Sequence, residues 1–257
     1  MKIADFTLQS NEALTANHHL LKVSPEDASP IPEMRPGQFV QVRVDDVPEV
    51  FLRRPISINF IDRDQNELWL LVQNVGKGTR KICRMTPGET INLIFPLGNS
   101  FSIPVEVKTS LLVGGGVGTA PLLFLGQKLW EAGLEAVFLL GGRSGSDILQ
   151  RADFERYGTV YCTTEDGSLG EKGLVTEHSI WQKERYDFIY TCGPRPMMAA
   201  VARYAHSKGI GCEVSLENCM ACGIGACLCC VEKTVRGNIC TCTEGPVFNS
   251  RELTWLD

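Results

Sequence analysis

Several chemistries are excluded by what this 257-residue chain lacks. It has only four histidines, His18, His19, His178 and His206, and none stands in a nucleophile–base pattern, so hydrolytic catalysis has no candidates. The formal net charge is −5 and no run of basic residues occurs, which removes the electrostatic footprint of a nucleic-acid binder. Met1-Lys2-Ile3-Ala4-Asp5 lacks the apolar core of an export signal, so a cytoplasmic protein is expected. The 19 uncharged residues from Thr109 to Gln127 are long enough for a membrane span. They hold five glycines and a proline, however, and divide into strand, turn and helix, so no membrane association is expected. Internal repeats and low-complexity tracts are absent as well.

Cysteine is what the chain has in quantity. Seven of its eleven cysteines fall between Glu217 and Phe248. Without an export signal, so many thiols read as metal ligands in a reducing compartment rather than as disulfides. Cys222-x4-Cys227-x2-Cys230 followed by a more distant cysteine is the spacing of a plant-type [2Fe–2S] cluster. The reason is geometric: three thiolates from one tight loop must wrap two irons, and Gly223 and Gly225 let amides turn toward the sulfurs. Zinc is the competing metal, because Cys219/Cys222 and Cys227/Cys230 also make two C-x2-C pairs. Spacing leaves Cys240 and Cys242 both open as the fourth ligand. The remaining cysteines of the segment are expected to be small buried packing residues.

Three segments precede and include this one. Residues 1–102 carry short apolar runs at 39–44, 55–60, 68–72 and 90–94, separated by turns such as Arg35-Pro36-Gly37 and Thr86-Pro87-Gly88. That rhythm predicts a small antiparallel β-barrel, with the proline-rich stretch 24–36 as a loop. Residues 103–211 alternate strands (111–113, 136–140, 159–163, 188–191) with helices (through Trp130, around 147–157, and 196–207). Alternation of this kind predicts a doubly wound parallel sheet. Residues 212–257 form the cysteine-rich segment and a short tail. The fold class is therefore multi-domain β plus α/β.

Within this frame the turn Gly114-Gly115-Gly116-Val117-Gly118-Thr119-Ala120-Pro121 joins a strand to a helix. Its amides and the helix N-terminus suit a dinucleotide phosphate, and Pro121 fits a first turn. Arg54 could grip a pyrophosphate and Ser57 a ring nitrogen. Gly76-Lys77-Gly78-Thr79 offers amides and a hydroxyl to a second phosphate region. Cys192, in Thr191-Cys192-Gly193-Pro194, would lie at the carboxyl edge of the sheet, either beside a nicotinamide or buried as packing. After the second strand of that domain Arg143 suits a 2′-phosphate and Asp147 opposes one, so NAD and NADP both stay open.

Pro36-Gly37-Gln38-Phe39, Arg54-Pro55-Ile56-Ser57, Gly76-Lys77-Gly78-Thr79, the Gly114–Pro121 turn, Cys192-Gly193-Pro194 and the cysteine segment through Cys242-Thr243-Glu244-Gly245-Pro246-Val247-Phe248 together carry a resemblance. The chain resembles the ferredoxin–NADP reductase superfamily and, within it, the electron-transfer subunits of type B dihydroorotate dehydrogenases. The resemblance implies FAD on the barrel, NAD on the α/β domain and [2Fe–2S] in the C-terminal segment, held by Cys222, Cys227, Cys230 and, as fourth ligand, Cys242. It also implies flavin contacts from Arg54, Pro55, Ile56, Ser57, Leu71, Val72, Gln73, Gly78 and Thr79, and NAD contacts from Gly114, Gly116, Gly118, Thr119 and Pro121. Ile56 replaces the aromatic that the wider superfamily stacks on the flavin. The implied partner is an FMN-containing catalytic subunit that oxidises dihydroorotate during pyrimidine synthesis, in an assembly with two of each chain. The implied relay runs from that subunit through [2Fe–2S] and FAD to NAD⁺. A reductase subunit of another redox complex, such as a sulfite reductase, a hydrogenase or a ferredoxin-linked enzyme, is the alternative.

Overall fold

The structure is a computed structural model, and it describes residues 1–183 and 185–255. The last two positions of the 212–257 segment therefore lie outside the described residues.

The N-terminal half closes into an antiparallel barrel. Its strands are β1 (Lys2–Ala13), β2 (His18–Pro25), β3 (Phe39–Val42), β4 (Arg54–Asp62), β5 (Glu67–Gln73) and β6 (Thr90–Leu97), with the short helix α1 (Lys77–Cys83) between β5 and β6. The strand order is β1-β2-β5-β4-β3-β6, closed on itself, which leaves no free edge for association. Alternation explains the closure. Phe6, Leu8, Val40, Val42, Ile58, Leu68, Leu70, Val72, Ile91 and Leu93 point inward and are almost fully buried.

The second half is a sheet of β7 (Thr109–Gly115), β8 (Glu135–Gly142), β9 (Thr159–Thr164), β10 (Glu171–Lys172), β11 (Phe188–Cys192) and β12 (Gly211–Ser215). Its helices are α2 (Ala120–Glu131), α3 (Arg151–Glu155), α4 (Ile180–Lys183) and α5 (Arg195–Ser207). The C-terminal segment adds β13 (Val231–Thr234), β14 (Gly237–Cys240), α6 (Thr241–Glu244) and β15 (Val247–Asn249). The sheet order is β10-β9-β8-β7-β11-β12-β15, parallel except for β15. Strand order reverses between β7 and β11, so a crevice opens at their carboxyl ends. Both faces are covered, and the middle strands read as continuous apolar runs for that reason. Leu112, Phe138, Leu140 and Tyr190 face α2, whereas Leu111, Val113, Leu139 and Ile189 face α5.

Differences from the sequence-based expectation have local causes. Strands β1 and β2 lie outside the four expected apolar runs, although the alternation of Ala4, Phe6 and Leu8 carries β1; polar residues on the solvent face dilute it. The stretch Gly76–Thr79 opens the short helix α1, where the Thr79 hydroxyl accepts the Val75 and Gly76 amides at 3.0 and 3.1 Å and caps the turn. The helix expected around 147–157 shrinks to five residues, Arg151–Glu155, preceded by Gln150 in a left-handed conformation. The sheet also recruits β12 and β15 from beyond residue 211, one on either side of the cysteine loop. Among the described residues no helix is long and apolar enough to cross a membrane.

Two connections set the geometry between parts. Asn59, fully buried in β4, donates to the Ala120 carbonyl and exchanges hydrogen bonds with Gln150, tying the barrel to the start of α2. Asn99, just after β6, grips the returning C-terminal chain. Its side chain donates to the Glu244 and Val247 carbonyls at 2.8 Å each and accepts from the Val247 amide at 3.0 Å. Replacing Asn99 with Ala leaves those groups without partners, an expected cost of about 1–3 kcal/mol. In thermal unfolding this should lower Tm by a few degrees, at about 2–4 °C per kcal/mol for a chain of this size. Hydrogen exchange should rise first across 242–248; unchanged protection there would show that the clamp does not hold the segment.

Candidate functional site

Three groups of residues gather where the barrel, the α/β sheet and the cysteine segment meet. The first is an open cleft of about 270 Å³. The barrel contributes Pro55, Ile56 and Ser57 from β4, Leu71 and Gln73 from β5, and Thr79 from α1. Val117 and Ala120 form its floor on the α/β side, and Leu216 to Met220 with Pro246 form its far wall. Six of the nine residues expected to contact a flavin thus line one cavity. The pleat explains why Val72 does not: it lies between Leu71 and Gln73, and its side chain is buried in the barrel core. Any contact it makes in the cleft is through its backbone.

Arg54 and Gly78 stand beside the cleft and touch each other. The Arg54 guanidinium donates to the Leu52 and Arg53 carbonyls at 2.8 and 3.2 Å. A Cβ on Gly78 would lie 2.5 Å from Arg54 Nε, so any larger residue there makes the guanidinium shift. The pair makes a basic, amide-lined rim of the kind a pyrophosphate fits. The Thr79 hydroxyl, in contrast, is used by the turn itself.

Sequence reasoning missed Glu217 in this cleft. Solvent reaches its side chain, but protein surrounds it on most sides, and this desolvation raises the carboxyl pKa above its usual value. No spacing pattern announces a lone glutamate ahead of a cysteine loop; only the fold brings it into the same cleft as Ser57.

The second group is the glycine turn at the topological switch. Gly114 and Gly115 end β7, Gly116 to Thr119 form a single 3₁₀ turn, and α2 begins at Ala120 with Pro121 in its first turn. Gly118 backs onto the Cys192–Gly193 backbone so closely that a Cβ would overlap Gly193. Gly116 faces open space, which leaves its side of the turn free for a ligand. The Thr119 hydroxyl donates to the Gly116 carbonyl at 3.0 Å and closes the turn. Cys192 has no exposed surface, and burial followed by the nearby Glu217 charge raises its thiol pKa well above normal. It is a neutral thiol in the core at the carboxyl edge of β11.

The third group is the cysteine loop. Cys222 lies near Cys227, and Cys230 lies near Cys242 and also near Cys240. Backbone amides point at three of the sulfurs. The Ile224 amide donates to Cys222 Sγ at 3.4 Å, the Gly225 amide to Cys242 Sγ at 3.2 Å, and the Cys242 amide to Cys230 Sγ at 3.4 Å. Gly223 and Gly225 hold left-handed φ values of 71° and 84°, which is how the loop turns those amides inward. Cys230 and Cys242 are buried against Phe39 and Leu97 of the barrel, whereas Cys222 is half-buried and Cys227 exposed. The Ile224 amide leads in lowering the Cys222 pKa to about 6, and burial pushes that of Cys242 up to about 12.

Two thiol pairs with inward amides fit two irons, each held by two sulfurs. A single zinc would instead need four of these thiols drawn to one point. Cys240 also approaches Cys230, but the Gly225 amide of the loop is directed at Cys242. The expectation of buried packing fails for Cys219 and Cys229, which are exposed. Small side chains on a surface loop need no core to hold them, and the Cys229 thiol merely approaches the Cys219 carbonyl at 3.8 Å.

A substitution at the rim follows from the Gly78 contact. Gly78→Ala should lever Arg54 off the turn and lower the flavin retained through gel filtration, read as the flavin-to-protein absorbance ratio. Wild-type retention would show that this contact does not shape the rim.

Two family models match parts of the chain. Residues 112–203 match the family model of the oxidoreductase NAD-binding domain, and residues 217–254 that of the iron–sulfur cluster binding domain of dihydroorotate dehydrogenase B. The chain is 37% identical to the electron transfer subunit of dihydroorotate dehydrogenase B (NAD⁺) from Fusobacterium nucleatum subsp. nucleatum, covering 96% of this chain and 97% of that one. It is 36% identical to the subunit of the same name from Bacillus velezensis, covering 98% and 99%. Among solved structures, an NADH-dependent reduced ferredoxin–NADP oxidoreductase studied for flavin-based electron bifurcation superimposes with a TM-score of 0.87 at 28% identity, over 97% of this chain and 90% of that one. A flavohemoglobin from Malassezia yamatoensis with bound FAD and heme shares the fold, with a TM-score of 0.68 at 16% identity over 83% and 60%. With full-length relatives at this identity, the chain belongs to the family of electron transfer subunits of dihydroorotate dehydrogenase B (NAD⁺).

Proposed function

We infer that this chain receives electrons from an FMN-containing catalytic subunit that oxidises dihydroorotate, and passes them to NAD⁺ in a cytoplasmic assembly of two of each chain. One observation carries the reading: the segment from Leu216 to Met220 lines the cleft and leads directly into the cysteine loop. The cluster and the flavin would then share one wall, with the nicotinamide crevice opening beside Val117 and Ala120.

When bound, the [2Fe–2S] cluster supplies single-electron transfer and the FAD supplies the conversion of two electrons into a hydride for NAD⁺. The protein's task is to bind and orient. Arg54 and the Gly78–Thr79 backbone would hold the flavin phosphates, and Ser57, Gln73 and Ile56 its ring system, with Pro55 and Leu71 completing the apolar wall. Aliphatic Ile56 gives contact without aromatic stacking. Gly114, Gly116 and Gly118, with Thr119 and the Pro121 turn, would present amides and the α2 N-terminus to the NAD pyrophosphate. Cys222, Cys227, Cys230 and Cys242 would ligate the cluster, and their thiolates must stay reduced to do so, which supports a reducing compartment. No acid–base pair is needed for electron and hydride transfer.

The partner would dock over the loop. Ile224 and Leu228 expose 46% and 65% of their surface and flank exposed Cys227. Apolar side chains in that position support a protein interface beside the outer thiol pair. The likeness to a bifurcating reductase favours a second reading, in which the same relay serves another redox complex.

Purification tests both the cofactors and the partner. Cys227→Ser and Cys242→Ser should each lose the cluster's electron paramagnetic resonance signal and keep FAD, while Cys240→Ser should keep both. A retained signal in Cys242→Ser with loss in Cys240→Ser would exchange the fourth ligand. The chain alone should oxidise NADH with artificial acceptors and leave dihydroorotate untouched until the catalytic subunit is added. Orotate formation by the isolated chain would refute the division of labour, and co-purification with a different redox subunit would favour the second reading.

A further inference from the structure

Gln41 is a fully buried side chain whose two polar atoms have no partner. It lies in β3 with no exposed surface, and neither Oε1 nor Nε2 makes a hydrogen bond. A buried carboxamide left in this state is costly, and such groups are as a rule satisfied. The pleat shows where it is aimed. Val40 and Val42 point into the barrel core, so Phe39 and Gln41 point outward together. Phe39 packs on Cys230 and Cys242. Gln41 packs on the same loop: a Cβ on Gly223 would lie 2.5 Å from Gln41 Nε2 and 2.8 Å from its Cγ. Gly223 stands between Cys222 and the Ile224 amide that donates to the Cys222 sulfur. Arg53 ties β3 to β6 beside it, donating to the Gln41 and Asn92 carbonyls at 3.2 and 3.1 Å.

We propose that Gln41 Nε2 donates a hydrogen bond to a sulfur of the [2Fe–2S] cluster and thereby raises its reduction potential. The inference rests on the cluster reading above. A donor of this kind, supplied by the barrel wall rather than by the loop, supplements the amides of Ile224 and Gly225. The reduced cluster carries one more negative charge, spread over its sulfurs, so an N–H donor stabilises the reduced state more than the oxidised one. Because the amide is neutral, it tunes the potential without adding a charge that would require its own partner. Gln41 is therefore a positioning and tuning residue that makes no covalent bond to iron.

The test is a redox titration of the full-length holoprotein. Gln41→Leu keeps the size and removes the donor, and Gln41→Met does so with a flexible chain. Both should keep FAD and a full cluster signal but titrate at a lower potential. At a fixed poise the ratio of reduced to oxidised cluster should fall about fivefold to tenfold, tenfold corresponding to about 59 mV for a one-electron couple. In the wild type, with glutamine side chains labelled with ¹⁵N, pulsed electron paramagnetic resonance should detect coupling between the reduced cluster and a side-chain nitrogen, and the variants should lose it. A full cluster at the wild-type potential in both variants would overturn the proposal, as would absence of nitrogen coupling in the wild type. A wild-type protein with FAD but no cluster would overturn the cluster reading and this inference together.

Discussion

The grip of Asn99 on the chain from Glu244 to Val247 is the contact on which the rest of the arrangement depends. This residue, in the loop that leaves the barrel, uses its backbone amide on the Gly245 carbonyl at 2.6 Å and its side chain on three further backbone groups. With the returning chain fixed there, β15 pairs with β12 and extends the α/β sheet, while Cys242 is set against Phe39 and Leu97 on the barrel wall. Pro246 then borders the cleft. One loop residue thus couples the cysteine segment to both larger parts. Backbone hydrogen bonds made by a short side chain suit this role, since they leave little rotamer freedom to lose and specify register as well as proximity.

A second seam orients the barrel against the sheet. Asn59 and Gln150 exchange hydrogen bonds at the start of α2, and Phe60 packs against Trp69, Phe124 and Tyr157 with ring centroids 5.0 to 6.5 Å apart. A polar lock flanked by aromatic contacts fixes both distance and rotation. The functional consequence is that Ala120, whose carbonyl Asn59 holds, is at once the first residue of α2 and part of the cleft floor. The glycine turn and the cleft meet there. The proposed hydride transfer needs its two partners in contact, and a fixed joint at this residue suits it.

Much of this was legible in the sequence because the relevant signals are local. The glycine turn before α2, the Arg54–Ser57 run and the C-x4-C-x2-C loop each lie within a few consecutive residues, and each occupies the element its pattern predicted. What escaped was long-range or masked. The polar outer face of β1 diluted its alternation. The helix that opens at Gly76–Thr79 is set by the Thr79 hydroxyl capping its own turn, which no pattern in the sequence announces. Glu217 and Gln41 carry no motif, and their surroundings arise only when strands distant in sequence are brought together. Val72 shows the complementary limit: a residue next to two cleft residues in sequence can still face the opposite side of a pleated strand.

The central claim is that electrons from the catalytic partner reach NAD⁺ through the thiol loop of this chain. It is tested most directly by freeze-quenching the assembled complex after anaerobic mixing with dihydroorotate and NAD⁺, and comparing wild type with Cys227→Ser. The expected result is a wild-type cluster signal that rises before NADH accumulates, and a Cys227→Ser complex that still oxidises dihydroorotate in a single turnover but forms almost no NADH. NADH formation at the wild-type rate by the Cys227→Ser complex would contradict the relay.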